Sequence, residues 1–381
     1  MGTLSSAHYS WVHSVKTERT NDPSLLCTTT LPGHHAAALE GLCEICSFLS
    51  VRFPLLFKVE RASYDADKPE THGDSVVGKE SGAIIAVETC ITGEKFDFRQ
   101  IEEEEGPEWN PMRVAGLLLE DGVIVLVEDE QGQYRFQASS MCTSGFWRLK
   151  DKIGMTLDEI HFSGAVPNYA EKYQKAINKF FAGMKEEKFF ERNNYFFQVD
   201  EKLGWSEATN GTEEVFDHTD KKPREEQFKP EGGHTQPRAA TDINQIHFRT
   251  ERQSMRRLPK SRAILFTTRS YLFPVTDLAD EPGIPGRMAS SVRSWPSEGN
   301  RNVDWYKASD LFAPVLLPYL DKKHAKQVAS GVVQLNEKGE TERTIRVERR
   351  LWKATVPFSK VARSRSWLLS SLSRSARLLQ T

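Results

Sequence analysis

Hydrophobic spacing along the chain changes period several times, and each change marks an element. From His35 onward Leu39, Leu42, Cys43, Cys46 and Leu49 recur at three- and four-residue spacing, which predicts an amphipathic helix over 36–49. Arg52 to Glu60 and Ala83 to Thr92 read as strands around a polar loop, Ala62 to Gly82, with Thr92-Gly93-Glu94 as a turn. A helical stretch from Trp109 to Leu119 leads to a hairpin of Gly122–Val127 and Gln133–Ser139. A capped segment ends near His161, and Pro167 opens the clearest helix in the chain. Its Tyr169, Tyr173, Ala176, Ile177, Phe180, Phe181 and Met184 form one broad stripe, expected to pack on a sheet, the alternative being that it lines a flat macrocycle. Arg192-Asn193-Asn194 precedes an aromatic strand, Tyr195–Val199.

The densest mixture of charge and apolar sequence is Ile246 to Val275, read as two strands and a turn. Ala263–Tyr271 has the β-branched and aromatic content of a strand buried on both faces. The preceding run alternates: Ile246, Phe248, Thr250 and Arg252 share one face, and His247, Arg249, Glu251 and Gln253 share the other. Charges beside a buried strand need partners, because an unpaired buried ion costs several kcal/mol. Three readings follow: a paired structural network, a site for an anionic cofactor, or a solvated edge.

Further on, 282–301 is rich in Pro, Gly and Ser and reads as a loop. Ser309 or Asp310 is placed to cap a helix running through Leu320 to Val328 despite Pro314 and Pro318. The expected architecture is α/β (α+β), a mixed and largely antiparallel sheet with flanking helices and no parallel βαβ unit. Residues 1–35 are expected to form a loose arm and 36–330 one domain, with a disordered insertion near 210–241. The basic tail, 331–381, carries eight Arg or Lys and no acid after Glu348. It is read either as lying on an anionic membrane surface or as an out-of-frame or spliced end without structure, the second being favoured because the core before it is complete.

Composition narrows the function classes. A net charge of −2 gives no overall electrostatic drive toward nucleic acid. No apolar run approaches the length of a membrane span, and the first thirty residues lack a secretory apolar region, so a soluble, cytoplasmic protein is expected. Five cysteines without a secreted-scaffold spacing agree with a reducing compartment. Cys43 and Cys46 lie on the apolar stripe of their helix and are expected to be core residues, not a redox or zinc pair. Gly73 to Lys79 approaches a phosphate loop but has Glu80 where a hydroxyl residue is required. No dinucleotide, His-Glu-x-x-His, Gly-x-Ser-x-Gly or ferredoxin pattern occurs, so no flavin, nicotinamide or iron–sulfur site is expected. Electrons for any redox chemistry would come from another protein.

Several separated motifs resemble one family. Phe146-Trp147, Lys152-Ile153-Gly154, Ile160-His161, Val166-Pro167, Glu171-Lys172, Arg192-Asn193-Asn194, Arg249, Glu251-Arg252-Gln253 and Arg256-Arg257-Leu258-Pro259 occur in the order seen in the haem-dependent oxidative N-demethylase alpha-subunit-like family. The resemblance spans about 36–325. It implies a PAS-like α/β core that binds haem and, with O2 and electrons from a separate reductase, oxidises an N-methyl group of a small amine, releasing formaldehyde. Under that resemblance His161 is the candidate axial ligand, with His247 as runner-up. Arg249, Arg252, Arg256 and Arg257 are the candidates for the haem propionates, since guanidinium matches carboxylate geometry. Glu251 is the candidate catalytic residue, either neutralising an arginine or facing an alkylammonium substrate. As a lone histidine, His161 reads more readily as a structural hydrogen-bonder. Two rival functions are a non-catalytic haem or small-ligand sensor and a structural protein of the same fold without cofactor.

Overall fold

The computed structural model describes residues 27–65, 67, 76–77, 81–99, 110–212, 237–297 and 302–335. Most of the expected insertion, of the basic tail and of the phosphate-loop-like run lies outside the described residues. By packing, the chain forms two compact units. Among the described residues, one comprises 27–194, 202–212 and 251–271, and the other 195–201, 237–250 and 272–335.

The strands are β1 (Thr28–Thr30), β2 (Phe57–Arg61), β3 (Ile84–Thr89), β4 (Glu94–Asp97), β5 (Gly122–Glu128), β6 (Tyr134–Ser140), β7 (Phe190–Gln198), β8 (His247–Arg257) and β9 (Ile264–Pro274). They form a six-stranded antiparallel sheet ordered β1-β6-β5-β9-β8-β7 and a three-stranded sheet ordered β2-β3-β4. The main helices are α1 (His35–Arg52), α2 (Pro111–Leu118), α3 (Leu157–Ser163), α4 (Gln174–Ala182), α5 (Ile284–Arg293) and α6 (Ala313–Ala329).

In the first unit the sheet is covered on both faces, and its strand alternation sorts the core into two layers. Val123 and Val125 of β5, with Leu265 of β9, meet Leu42, Ile45 and Leu49 of α1 and Met112 and Ala115 of α2. Ile124, Leu126 and Ile264 point the other way, into Tyr134, Phe136, Leu149, Leu157, Phe181 and Met184. Two-sided burial explains why β5 and β9 read as continuous apolar runs. The pairings Val123 with Ser140 and Val125 with Leu265 set the register between β6, β5 and β9. In the second unit Phe197, Phe248, Trp295 and Phe312 form an aromatic cluster.

Several expectations are corrected. Part of the supposed arm, Thr28–Thr30, is a strand paired with β6. The strand expected from Arg52 begins only at Phe57, because α1 continues to Arg52 and the Phe53-Pro54 step ends it. The turn at Gly93 (φ 72°) joins β3 to β4, a strand too short and polar to stand out in the sequence. The helix expected from Pro167 opens as a π-helical turn, Tyr169–Tyr173, before α4. Within the supposed loop 282–301, Ile284–Arg293 is helical: Pro285 occupies the first turn, where a missing N–H is harmless. Neither Ser309 nor Asp310 caps α6, which starts at Ala313 without a side-chain cap.

Candidate functional site

His161 sits on α3, a short helix whose start is fixed by a reciprocal cap. The Glu159 N–H donates to Thr156 Oγ1 (3.1 Å), and the Thr156 N–H donates to Glu159 Oε2 (2.7 Å). Leu157 anchors the helix in the core. One turn on, His161 Nδ1 lies 2.6 Å from the Leu157 carbonyl oxygen. A carbonyl only accepts, so Nδ1 carries the hydrogen, and in the neutral ring the lone pair is left on Nε2. Burial pushes the His161 pKa down, outweighing the Leu157 hydrogen bond that raises it, and the charges of Arg192 and Lys152 push down against Asp158. The ring is therefore held neutral in one tautomer.

The chain then turns through two residues with positive φ that are not glycine, Ala165 (51°) and Asn168 (57°), into the π-helical turn. Such conformations and single π-turns concentrate at functional sites. They deliver Tyr169 flat against His161, with ring centroids 4.5 Å apart and planes 5° from parallel. The Tyr169 hydroxyl donates to Asp158 Oδ1 (2.8 Å), and Asp158 also accepts from Gln174 (2.7 Å) and Asn178 (3.1 Å). Burial and this bond raise the Tyr169 pKa, so the phenol stays protonated. Beneath the helix, Lys152 is 3% exposed and donates to Ser163 Oγ at 2.6 Å. Burial lowers its pKa to about 8.

The hairpin residues fall into separate roles. Arg257 is fully enclosed and donates four hydrogen bonds, to the carbonyls of Met184 (2.8 Å), Phe181 (2.7 Å) and Arg262 (2.7 Å) and to the Tyr134 hydroxyl (2.7 Å). These bonds tie the end of α4 to the sheet. Arg256 bonds Glu44 of α1 at 3.1 Å and lies 4.6 Å over the Phe189 ring. Glu251 is 8% exposed and accepts from Gln253 (3.1 Å), while Arg252, the next residue, is exposed. In the second unit Arg249 is completely buried, with Nη1 3.5 Å from Gln198 Oε1 and its guanidinium over Phe196. His247 is buried there too, with Nδ1 3.2 Å from the Gln245 carbonyl. The face carrying His247, Arg249 and Glu251 is thus the inward face of β8, which removes the solvated-edge reading for these three residues.

Sequence reasoning named His161 and the hairpin arginines as candidates but not the part that Tyr169, Asp158 and Lys152 take around His161. Asp158, Tyr169 and Lys152 come from three segments, and only the π-turn and left-handed residues between them bring the rings together. The sequence signals present were the Thr156-x-x-Glu159 capping box and the motif that contains Lys152. Cys43 and Cys46 form no disulfide among the described residues, and burial raises the Cys46 pKa well above its ordinary value, which leaves that thiol unreactive. Among the described residues no cluster of three or more His, Cys, Asp or Glu is arranged to hold a metal ion, and no helix is long and apolar enough to cross a membrane.

No curated protein matches the chain. Residues 5–317 match a protein family described as haem-dependent oxidative N-demethylase, alpha subunit-like. This match covers most of the sequence, and the chain belongs to the haem-dependent oxidative N-demethylase alpha subunit-like family.

Proposed function

We propose that this chain is a haem-dependent oxidative N-demethylase acting on a small N-methylamine, with His161 as the axial ligand. The observation that carries the reading is the fixed tautomer of His161: Nδ1–H is tied to the Leu157 carbonyl, leaving Nε2 as a neutral donor. That is the arrangement by which proteins orient ligating imidazoles. Haem, when bound, supplies the iron at which oxygen is reduced and the N-methyl group oxidised.

The donor set fits the group in part. A neutral imidazole suits haem iron, and one axial histidine needs no second ligand cluster. Arg256 and Arg257 are engaged by Glu44 and by carbonyl groups, so they serve the fold. For the propionates the reading turns to exposed cations of the same unit, Arg252 of β8 and Arg192, whose charge reaches His161. Glu251 is proposed as the carboxylate that meets the amine cation. Strand order gives further support: counted from β5, the larger sheet runs second, first, fifth, fourth, third, as in a PAS-type sheet, and His161 lies on the connection between its second and third strands.

The net reaction consumes the N-methylamine, O2, two electrons and two protons, and yields the demethylated amine, formaldehyde and water. The electrons come from a separate reductase. The haem-reconstituted protein with a chemical or enzymatic reductant should consume oxygen only when an N-methylamine is added, and release formaldehyde in equal amount. Haem binding without amine-dependent turnover would make the chain a sensor. An absence of haem binding would leave only the structural reading.

A further inference from the structure

We propose that Tyr169 is a positioning residue for His161, fixing the plane in which Nε2 meets the iron; this rests on the preceding assignment of His161 as ligand. The outer torsion of a histidine is broad, so a ligating imidazole needs outside contacts to hold its plane. The Leu157 hydrogen bond fixes one edge of the ring. The Tyr169 ring, parallel within 5° at 4.5 Å, covers one face. Phe162 meets Tyr169 edge-on at 5.2 Å.

Tyr169 is itself fixed at its far end. Its hydroxyl donates to Asp158, three residues before His161 on the same helix, so the tyrosine bridges two consecutive turns of α3. Gln174 and Asn178 fill further acceptor positions of Asp158, which holds the carboxylate still. Placing the tyrosine there takes two left-handed residues that are not glycine and a π-turn, conformations that are disfavoured for residues carrying a side chain. Burying an aromatic ring alone does not call for that geometry.

The experiment uses the full chain with haem titrated into the apo-protein, and follows affinity, the Soret band and the electron paramagnetic resonance of the ferric state. His161→Ala is the control for the ligand assignment. Tyr169→Phe keeps the ring but loses its bond to Asp158, so it should retain haem and shift the g-anisotropy as Asp158→Ala does. Tyr169→Leu removes it and should weaken haem binding by about 10–100-fold, the usual effect of losing a ligand's outer partner, with altered g-anisotropy. Asp158→Ala leaves the ring in place but frees it, so it should shift the g-anisotropy the same way, and it serves if Tyr169→Leu does not fold. Wild-type affinity and g-anisotropy in Tyr169→Leu or Asp158→Ala, while His161→Ala loses haem, would overturn this inference alone. Retention of the wild-type spectrum by His161→Ala would overturn the ligand assignment and this inference with it.

Discussion

Replacing Glu44 by Ala tests the reading of the buried ionic network. Glu44 of α1 and Arg256 of β8 are 4% and 7% exposed, and their closest N and O atoms are 3.1 Å apart. At an effective dielectric near 20, unit charges at that separation attract by roughly 5 kcal/mol. Desolvation of several kcal/mol per ion takes most of this back, so the intact pair contributes little net stability. Removing one partner is different, because the desolvation of the other remains. Arg256 would be left enclosed, with its Nε already lacking a hydrogen-bond partner and its face on Phe189. Glu44→Ala should therefore cost about 3–5 kcal/mol in urea unfolding, with the slope of the transition unchanged. Combining Glu44→Leu with Arg256→Met, apolar and of similar length, should return stability to within about 1 kcal/mol of wild type. A loss below about 0.5 kcal/mol in the single variant would refute the reasoning, since that is how a screened surface pair behaves.

Two further outcomes follow from the same packing. Arg257→Met removes four hydrogen bonds, to the carbonyls of Met184, Phe181 and Arg262 and to the Tyr134 hydroxyl, and should cost at least about 3 kcal/mol in thermal unfolding; Arg257→Lys should rescue little, because one ammonium cannot span the four acceptors. Lys152 has a folded pKa of about 8 against an ordinary 10.5, so between those values the unfolded chain binds the extra proton and stability rises with pH. Wild type should accordingly gain about 3 kcal/mol relative to Lys152→Met between pH 8 and 10.5, read by denaturant titration at fixed ionic strength, and a flat difference would place the amine in water.

The hydrophobic pattern made most of the larger sheet legible because β5, β6 and β9 carry their burial in the sequence. Period says nothing of residues whose place depends on backbone strain. The left-handed Ala165 and Asn168 look like ordinary helix-linker residues, so the meeting of Tyr169 with His161 could not be read from spacing. Proline points both ways: the Pro, Gly and Ser content of 282–301 reads as a loop although Pro285 stands in the first turn of α5, and Pro167 reads as the opening of a helix that starts as a π-turn. The alternation over β8 correctly separated its two faces, but not which guanidinium each neighbour would claim. Arg256 and Arg257 adjoin in sequence, yet one is met by a carboxylate from α1 and the other by carbonyls at the end of α4, partners 212 and 76 residues away.

The proposed function rests on the imidazole of His161 holding haem iron. Its most direct test is the absorption spectrum of the haem-reconstituted chain beside His161→Ala and His247→Ala. The wild type and His247→Ala should share one Soret band, and His161→Ala should lose or shift it. A normal band in His161→Ala with loss in His247→Ala would contradict the account and move the ligand to His247.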